Sequence, residues 1–518
     1  MQSITSFTDL KLAAECIFPR LDIERYISQE DYKKDIIRLV ELGVGGFCIF
    51  KGNIEEAKTV IAEVRAVALY PLLITADYEH GVTMRHEGGT AFPHAMALGK
   101  TGDLQKTQIV AQLIARETKA LGVNVNFAPV CDINSNPINP IINIRSFGEE
   151  ANIVGTHASA YAKGLQSENV IACAKHFPGH GDTSIDSHLS LPILEHSLEI
   201  IEEREIKPFE QIFKNGVRSV MVGHLSVPSI DKTGMPASLS KTIISGYLLA
   251  KMNFQGLIFT DALDMKSIAS TYSSTKASEM CIRAGADVAL LPENPFEAIE
   301  HFEKLLKNDN DFKNDLIRAA KKIRIEKEWC GLGNFRRLLE EEDEEKKVNL
   351  EHERVALSVA MSALDMDINE SEYLPIDETL QIAGFAFLQT DSDFKSASMF
   401  FNLLSQAVEN NMDYAYLDES ISEEDLQGMC ENTRDADLVI IAFFNRAKAY
   451  HGSIGISENM KRIIERLKNN NPTINIFFGN PYLRKEIKGS INICTFSDSL
   501  ASIAASVLAL SGRSNQIN

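Results

Sequence analysis

Short apolar segments alternate with helical patterns through the first two thirds of the chain. Seven such segments are strand candidates, at 43–50, 72–77, 123–130, 170–176, 217–224, 256–262 and 287–292. The stretches between them, such as NIEEAKTVIAEVRAVA at 53–68, have the spacing of amphipathic helices. Strands that are apolar on both faces and separated by helices indicate a parallel sheet covered on both sides. Seven of them over about 330 residues favour a (β/α)8 TIM-type barrel over an open sheet.

A second α/β region follows a charged run, EEEDEEKK at 340–347. Four more apolar segments, at 381–387, 437–444, 474–481 and 491–496, again alternate with helical stretches. A charge run of this kind marks a solvated helix or linker. We therefore predict a catalytic barrel at 1–335, a linker and helical connection at 336–375, and a smaller C-terminal αβα sandwich at 376–518.

Composition narrows the class of partner. The 518 residues carry 72 acidic against 52 basic side chains, a formal net charge of −20, which argues against nucleic acid or an anionic membrane as the main partner. The eight cysteines are scattered without a CxxC spacing, which favours reduced thiols. The N-terminus does not resemble a signal peptide and no apolar run has membrane-spanning length, so we expect a cytoplasmic protein.

Ionisable residues stand where several candidate strands end. Asp77, His224 and Asp261 each follow an apolar run, and Lys175 and His176 end another. Barrel enzymes place their chemistry at the C-terminal ends of the strands. These positions are therefore the first candidates for a site.

The segment KHFPGHGDTSIDSH at 175–188 contains six ionisable residues, three of them histidines. Pro178, Gly179 and Gly181 turn the chain after the strand. Asp186 and His188 are two positions apart, so in an extended loop their side chains can lie on one side. A carboxylate beside an imidazole orients the ring and favours its protonated form, which gives a proton donor and acceptor near neutral pH.

A metal site is the alternative for this segment. It contains five side chains of suitable ligand type, His176, His180, Asp182, Asp186 and His188. Their spacing matches no standard zinc signature, so acid–base chemistry is favoured. His180 and Asp182 receive no chemical role from the sequence and are expected to shape the loop.

Asp261, in GLIFTDALDM, could be a nucleophile, a metal ligand or an ion-pair partner. The His–Asp pair elsewhere in the same barrel favours the nucleophile, because retaining glycoside hydrolysis needs a nucleophilic carboxylate and a separate proton donor. Asp77, Arg145 and Lys175 are of the types that bind sugar hydroxyls.

The 175–188 segment resembles the signature of the β-N-acetylglucosaminidases of glycoside hydrolase family 3, in their peptidoglycan-recycling branch. Supporting segments follow in the family's order: ADYEHGVTMR, FAPVCDINSNPINPIINIRSFG, VMVGHLSVPSID, MPASLSKTIISGYLL and FTDALDM. The resemblance covers residues 8–335. One departure is Glu79–His80–Gly81, where relatives carry an acidic residue and two glycines, which puts the leaving-group preference in doubt.

The resemblance implies a role for each candidate residue. Asp261 would be the nucleophile, His188 the general acid and then the base, and Asp186 the residue that orients His188. The implied substrate-binding residues are Asp77, Arg145, Lys175 and His176, supported by Arg85 and His224. No metal and no cofactor are expected.

The implied activity is that of a retaining exo-β-N-acetylglucosaminidase acting on terminal β-linked GlcNAc of muropeptides or cell-wall fragments. A family 3 β-glucosidase or other exo-glycosidase, a glycoside phosphorylase and a non-catalytic sugar-binding protein are the alternatives. The expected partner is a small carbohydrate, without nucleic acid or membrane. No oligomeric state is predicted, and a monomer is compatible with the sequence.

Overall fold

The computed structural model describes residues 4, 7–183, 186–187, 189–332, 345–418, 420–447 and 454–513, with 345–349 described by their backbone alone. The chain divides into two compact units. The first comprises Met1–Thr90, Asp103–Asn136 and Ser146–His352, and the second Ala91–Gly102, Pro137–Arg145 and Glu353–Asn518.

The strands, in chain order, are β1 Ile17–Phe18, β2 Arg20–Asp22, β3 Gly46–Phe50, β4 Leu73–Ala76, β5 Val125–Asn126, β6 Ile171–Phe177, β7 Ser219–Val222, β8 Leu257–Thr260, β9 Ala289–Leu290, β10 Asp365–Ile368, β11 Ile382–Leu388, β12 Asp413–Leu417, β13 Leu438–Asn445, β14 Thr473–Gly479 and β15 Ile491–Cys494.

The α-helices are α1 Asp9–Glu15, α2 Ile23–Ser28, α3 Glu30–Leu42, α4 Ile54–Val67, α5 Ala95–Thr101, α6 Leu104–Ala120, α7 Ala151–Ser167, α8 Leu198–Glu203, α9 Lys207–Lys214, α10 Lys266–Ala269, α11 Ser274–Ala284, α12 Pro295–Leu306, α13 Asn310–Trp329, α14 Glu345–Ala363, α15 Phe394–Val408, α16 Glu423–Asn432, α17 Glu458–Lys468 and α18 Leu500–Leu510. Thr242–Lys251 forms a helix with π geometry.

The first unit is a closed parallel barrel. Strands β2 to β8 form one sheet in sequence order, and every neighbouring pair is parallel. A parallel bridge from Phe259 to Val288 joins β8 to the start of β9, and β9 pairs with β1. Because β1 and β2 are the two halves of one strand interrupted at Pro19, eight strands close the ring. The predicted TIM-type barrel is confirmed.

All seven segments predicted as barrel strands are strands in the structure. The strand that precedes them in the chain was not predicted. Residues 17–22 read IFPRLD, and the proline in the middle argues against a strand that needs every backbone N–H. In the structure Pro19 uses its carbonyl instead, which accepts a hydrogen bond from the Cys48 backbone N–H at 3.0 Å.

Sequence signals fix the helix ends around this barrel. Asn53 begins α4 with a capping box, in which its side chain accepts from the Glu56 N–H and the Glu56 carboxylate accepts from the Asn53 N–H, both at 3.0 Å. Gly43 ends α3 in the left-handed conformation at φ +88°.

Aromatic rings fill part of the barrel interior. Phe259 contacts Phe18 and Phe127 edge to face, with ring centroids 5.9 and 5.2 Å apart, and all three rings are buried. Such pairs add about 0.5–1.5 kcal/mol to the burial of the rings themselves. These three rings thus form a closely packed apolar part of the barrel interior.

The second unit is built on a six-stranded sheet of order β10-β15-β14-β13-β11-β12, parallel except for β10. One face packs on Phe400 and Leu404 of α15 and on Ile503 of α18. The other packs on Leu426 of α16 and Ile464 of α17. Helices on both faces make a three-layer sandwich, as predicted.

Two segments from the barrel part of the sequence belong to this second unit. Met96 of α5 and Ile144 share the apolar cluster that contains Ile464 and Phe443. Asn143 donates to the Asn480 side-chain oxygen at 3.4 Å. The sequence pattern predicts one continuous domain at 1–335, whereas in the structure 91–102 and 137–145 belong to the second unit.

Within the described residues, every helix is too short or too polar to cross a membrane.

A buried charge triad ties α1 to α13. Glu15 accepts from Lys11 on its own helix and from Lys327 at 2.8 Å, and all three side chains are buried. Burial raises the pKa of Glu15, but the two ammonium groups outweigh it and hold that pKa below its ordinary value.

We expect Glu15→Gln to lower the free energy of unfolding by about 3 kcal/mol, because two buried ammonium groups lose their counter-ion. Urea unfolding followed by circular dichroism measures the change. The control is Glu300→Gln, which removes a solvent-exposed ion pair with Lys304 and should leave the midpoint unchanged. Equal midpoints for all three proteins would contradict the account.

Candidate active site

A cluster of four charged side chains lies at the C-terminal ends of β4 and β6. Lys175 donates to Asp77 at 2.9 Å and to Glu79 at 2.7 Å, and Arg85 donates to Asp77 at 2.7 Å. The Lys175 side chain is only 2% exposed. Burial raises the pKa of Asp77, but Lys175 and Arg85 outweigh it and hold that pKa well below its usual range. Asp77 is therefore an ionised hydrogen-bond acceptor.

A second polar network joins the end of β6 to the segment after β5. The fully buried Asp132 carboxylate accepts from His176 Nδ1 at 2.7 Å, from the His176 backbone N–H at 3.2 Å and from the His180 backbone N–H at 2.7 Å. Burial raises the pKa of Asp132, but His176 and His180 outweigh it and hold the pKa below its ordinary value.

His180 lies inside this network and not at its surface. Its Nδ1 is 2.8 Å from the Thr183 hydroxyl, which also donates to the His180 carbonyl. Burial lowers the pKa of His180 to about 4, although the Asp132 and Asp261 carboxylates oppose the fall. The ring is therefore neutral at neutral pH.

Asp261 follows β8 directly and is half-buried. Its backbone N–H donates to the Val222 carbonyl at 2.9 Å, and its carboxylate accepts from the Ala262 N–H at 2.8 Å. Burial raises the pKa of the Cys173 thiol to about 12, and the Asp77 and Asp261 carboxylates both add to that rise. Asp77 and Asp261 thus both influence the Cys173 thiol on β6, the strand that lies between β4 and β8 in the sheet.

His224, at the end of β7, uses both ring nitrogens within the protein. Nε2 donates to the Ala262 carbonyl at 2.8 Å, and Nδ1 lies 2.7 Å from the Ser238 hydroxyl. These bonds hold the backbone of the residue that follows Asp261. The geometry suits support of Asp261 better than direct contact with a ligand.

The loop after β6 is held by a further charged group. Arg204 donates to Asp182 at 2.5 Å and to Glu205 at 2.6 Å, and His196 also pairs with Asp182. At Gly179 (φ +132°) a Cβ would lie 2.9 Å from the Glu205 Cβ, so the loop lies directly on this group. Asp182, which had no role in the sequence, anchors the loop.

The acid–base pair is described only in part. Asp186 is buried, and its carbonyl accepts from the backbone N–H groups of Leu189 and Ser190 at 2.9 and 3.1 Å. His188 lies outside the described residues.

Arg145 lies in the segment 137–145 of the second unit. Its Nη1 donates to the Ile141 carbonyl at 2.9 Å.

No group of three or more His, Cys, Asp or Glu side chains that could hold a metal ion occurs in the part of the chain that the structure describes.

Sequence reasoning missed four residues that organise these groups: Glu79, Asp132, Arg204 and Glu205. Asp132 had a usable signal, because it stands two positions after the strand candidate 123–130, as Asp261 stands at the end of its own strand. The role of Arg204 depends on its contact with Asp182, which is more than twenty residues away along the chain. The role of Glu205 depends on its packing against Gly179.

Glu205 should make stability depend on pH. It is almost fully buried, and burial raises its pKa from 4.5 to about 7, with the Asp182 and Asp132 carboxylates adding to the rise and Arg204 opposing it. Between these two values the folded state binds more protons than the unfolded state, so this group lowers the free energy of unfolding as pH rises.

We expect Glu205→Gln to remove this contribution, so that the variant gains stability relative to the wild type as pH rises from 4.5 to 7. Urea unfolding at half-unit pH steps measures it. Glu210→Gln, on the exposed part of α9, is the control and should keep the wild-type slope. A Glu205→Gln curve parallel to the wild type would contradict the assignment.

Residues 23–325, more than half of the chain, match the family described as Glycosyl hydrolase family 3 N terminal domain. A curated relative named Beta-hexosaminidase A, from Pseudoalteromonas piscicida, is 35% identical over 274 residues, which are 48% of this chain and 46% of the relative. The match thus spans about half the length of that relative.

Two solved structures share the fold over almost the whole chain. A family 3 beta-N-acetylglucosaminidase from Paenibacillus sp. str. FPU-7 has a TM-score of 0.85 at 24% identity, covering 98% of this chain and 97% of that one. A beta-glucoside phosphorylase, BglX, has a TM-score of 0.84 at 22% identity, covering 98% and 93%. At these identities the likeness concerns the fold, and the family follows from the sequence match: the chain belongs to glycosyl hydrolase family 3.

Proposed function

We propose that the protein is a retaining exo-β-N-acetylglucosaminidase that removes terminal β-linked GlcNAc from muropeptides or cell-wall fragments. One observation carries the proposal: the half-buried Asp261 carboxylate is fixed at the end of β8, while the Asp77–Lys175–Arg85 cluster occupies the same end of the barrel. The 35% identity to a curated beta-hexosaminidase supports the choice of an N-acetylhexosamine.

Asp261 is the proposed nucleophile. One carboxylate oxygen forms a bond to the anomeric carbon as the bond to the leaving oxygen breaks, and water later displaces the carboxylate. Two displacements retain the configuration. The Ala262 N–H, at 2.8 Å, fixes the rotation of the carboxylate, and His224 holds the following peptide, Ala262–Leu263, through its bond to the Ala262 carbonyl.

The charge cluster is the proposed sugar-binding site. Asp77 accepts from two cations and stays ionised, so its remaining acceptor capacity suits vicinal hydroxyl groups. Lys175 supplies donors, His176 offers its Nε2, and Arg85 and His224 support their neighbours. Arg145 is proposed as a sugar ligand on the strength of the resemblance alone.

Asp186 and His188 are the proposed acid–base pair. His188 protonates the leaving oxygen and then takes a proton from the attacking water, while Asp186 orients the ring. An imidazole serves here because a neutral base adds no second anion beside the carboxylate that the intermediate releases.

Phosphorolysis is the second candidate, favoured by the likeness in fold to a beta-glucoside phosphorylase. A neutral base would not repel an incoming phosphate, whereas a carboxylate base would. The cytoplasmic location and the cell-wall origin of the substrate stay predictions.

Asp261→Asn should lower kcat on nitrophenyl β-GlcNAc by at least roughly a thousandfold, because the neutral amide is a poor nucleophile. The control is Asp264→Asn, three residues along, whose half-buried carboxylate pairs with Arg20 at 2.8 Å. That variant should keep wild-type turnover. Near-wild-type turnover in Asp261→Asn would end the proposed mechanism.

Product analysis shows whether water or phosphate accepts the glycosyl group. We expect the wild type to cleave nitrophenyl β-GlcNAc faster than nitrophenyl β-glucoside and to release free GlcNAc with or without phosphate. EDTA should leave the rate unchanged. A sugar 1-phosphate as the main product would replace hydrolysis by phosphorolysis, and loss of activity with EDTA that zinc restores would support the metal alternative.

A further inference from the structure

Asp132 is a buried carboxylate that the proposed mechanism does not use. It lies on the segment after β5, which pairs with the end of β6 through the Lys175 N–H and the Pro129 carbonyl at 3.1 Å. This pairing sets Asp132 opposite His176. Its carboxylate accepts from His176 Nδ1, from the His176 N–H and from the His180 N–H.

A purely structural role explains only part of this arrangement. Two backbone N–H groups need an acceptor, and a neutral side chain could supply one at a lower cost of burial, since a buried carboxylate costs several kcal/mol before its partners are counted. A neutral side chain would not provide the charge-assisted bond of 2.7 Å to His176 Nδ1. Because a carboxylate only accepts, it requires a proton on Nδ1.

We infer that Asp132 is a positioning residue that fixes the Nδ1–H tautomer and the ring plane of His176, so that Nε2 is presented to the sugar. The sugar-binding half of this inference rests on the proposed function. The tautomer half concerns the protein without a ligand.

The same carboxylate connects His176 to the loop that carries Asp186. It binds the His180 N–H at 2.7 Å, and the next residue, Gly181, lies so close to the Ile133 carbonyl that a Cβ would come within 1.6 Å of it. The 132–133 backbone and the start of the loop therefore interlock. Asp132 thus holds both His176 and the start of the loop that carries Asp186.

The tautomer is measured by long-range ¹H–¹⁵N NMR on the full chain labelled with ¹⁵N-histidine, with the His176 signals assigned by their loss in His176→Gln. In the wild type we expect the proton on Nδ1. In Asp132→Asn we expect it on Nε2, because the Asn amide group donates where the carboxylate accepted. An Nε2–H wild type, or an unchanged tautomer in the variant, would overturn the inference.

The kinetic test is a double-mutant cycle on nitrophenyl β-GlcNAc. Asp132→Asn should lower kcat/KM by about tenfold to a hundredfold. Added to His176→Ala it should lower kcat/KM by less than about twofold more, because both changes remove one function. Effects that multiply in the double variant would assign Asp132 to the general fold and overturn the positioning role.

Asp287→Asn is the matched control. Asp287 is equally buried, accepts from the Ile258 N–H at 2.9 Å and pairs with Arg318 and Lys322, but it lies at the amino end of β9. It should lose stability and keep the His176 tautomer and the wild-type kcat/KM. If Asp132→Asn does not fold, the wild-type tautomer alone supports or overturns the inference. If the wild type does not cleave nitrophenyl β-GlcNAc, the proposed function fails and the tautomer test still stands.

Discussion

The buried ammonium of Lys175 is the constraint on which the rest of the site depends. A cation that is 2% exposed is stable in a barrel only beside opposite charge. Asp77 and Glu79 supply that charge from the segment after β4, which is separated from β6 by β5. Arg85 pairs with Asp77 and so balances the second negative charge of the cluster. A polar, ionised cluster thereby lies at the C-terminal ends of the barrel strands, and in the proposed mechanism this cluster holds the sugar against Asp261.

The barrel itself could be predicted from the sequence because its strands are apolar on both faces and are separated by helices of regular spacing. The strand at 17–22 could not be predicted, because Pro19 divides it into β1 and β2. β1 pairs with β9 and β2 pairs with β3, and the local sequence does not indicate these pairings. The assignment of 91–102 and 137–145 to the second unit could not be predicted either. Both segments are joined to the barrel along the chain, and only the tertiary packing of residues such as Ile144 assigns them to the second unit.

The same distinction applies to the candidate site. Asp77, Lys175, His176, His224 and Asp261 could be located from strand ends alone, because parallel strands bring their carboxyl ends to one edge. Their pairing partners could not. Asp132 is 44 residues from His176 along the chain, and its importance lies in a hydrogen bond that no local pattern encodes. His224 shows the converse, since its sequence position suggests a ligand contact while its two ring nitrogens bind Ser238 and Ala262.

Trapping the covalent intermediate shows whether Asp261 forms a bond to the sugar. The protein is incubated with a fluorinated, slowly turned-over GlcNAc donor, digested and analysed by tandem mass spectrometry. We expect one glycosyl adduct, on the peptide that contains Asp261, with the added mass located on that carboxylate. An adduct on another carboxylate, or turnover that inverts the anomeric configuration without any adduct, would contradict the proposed mechanism.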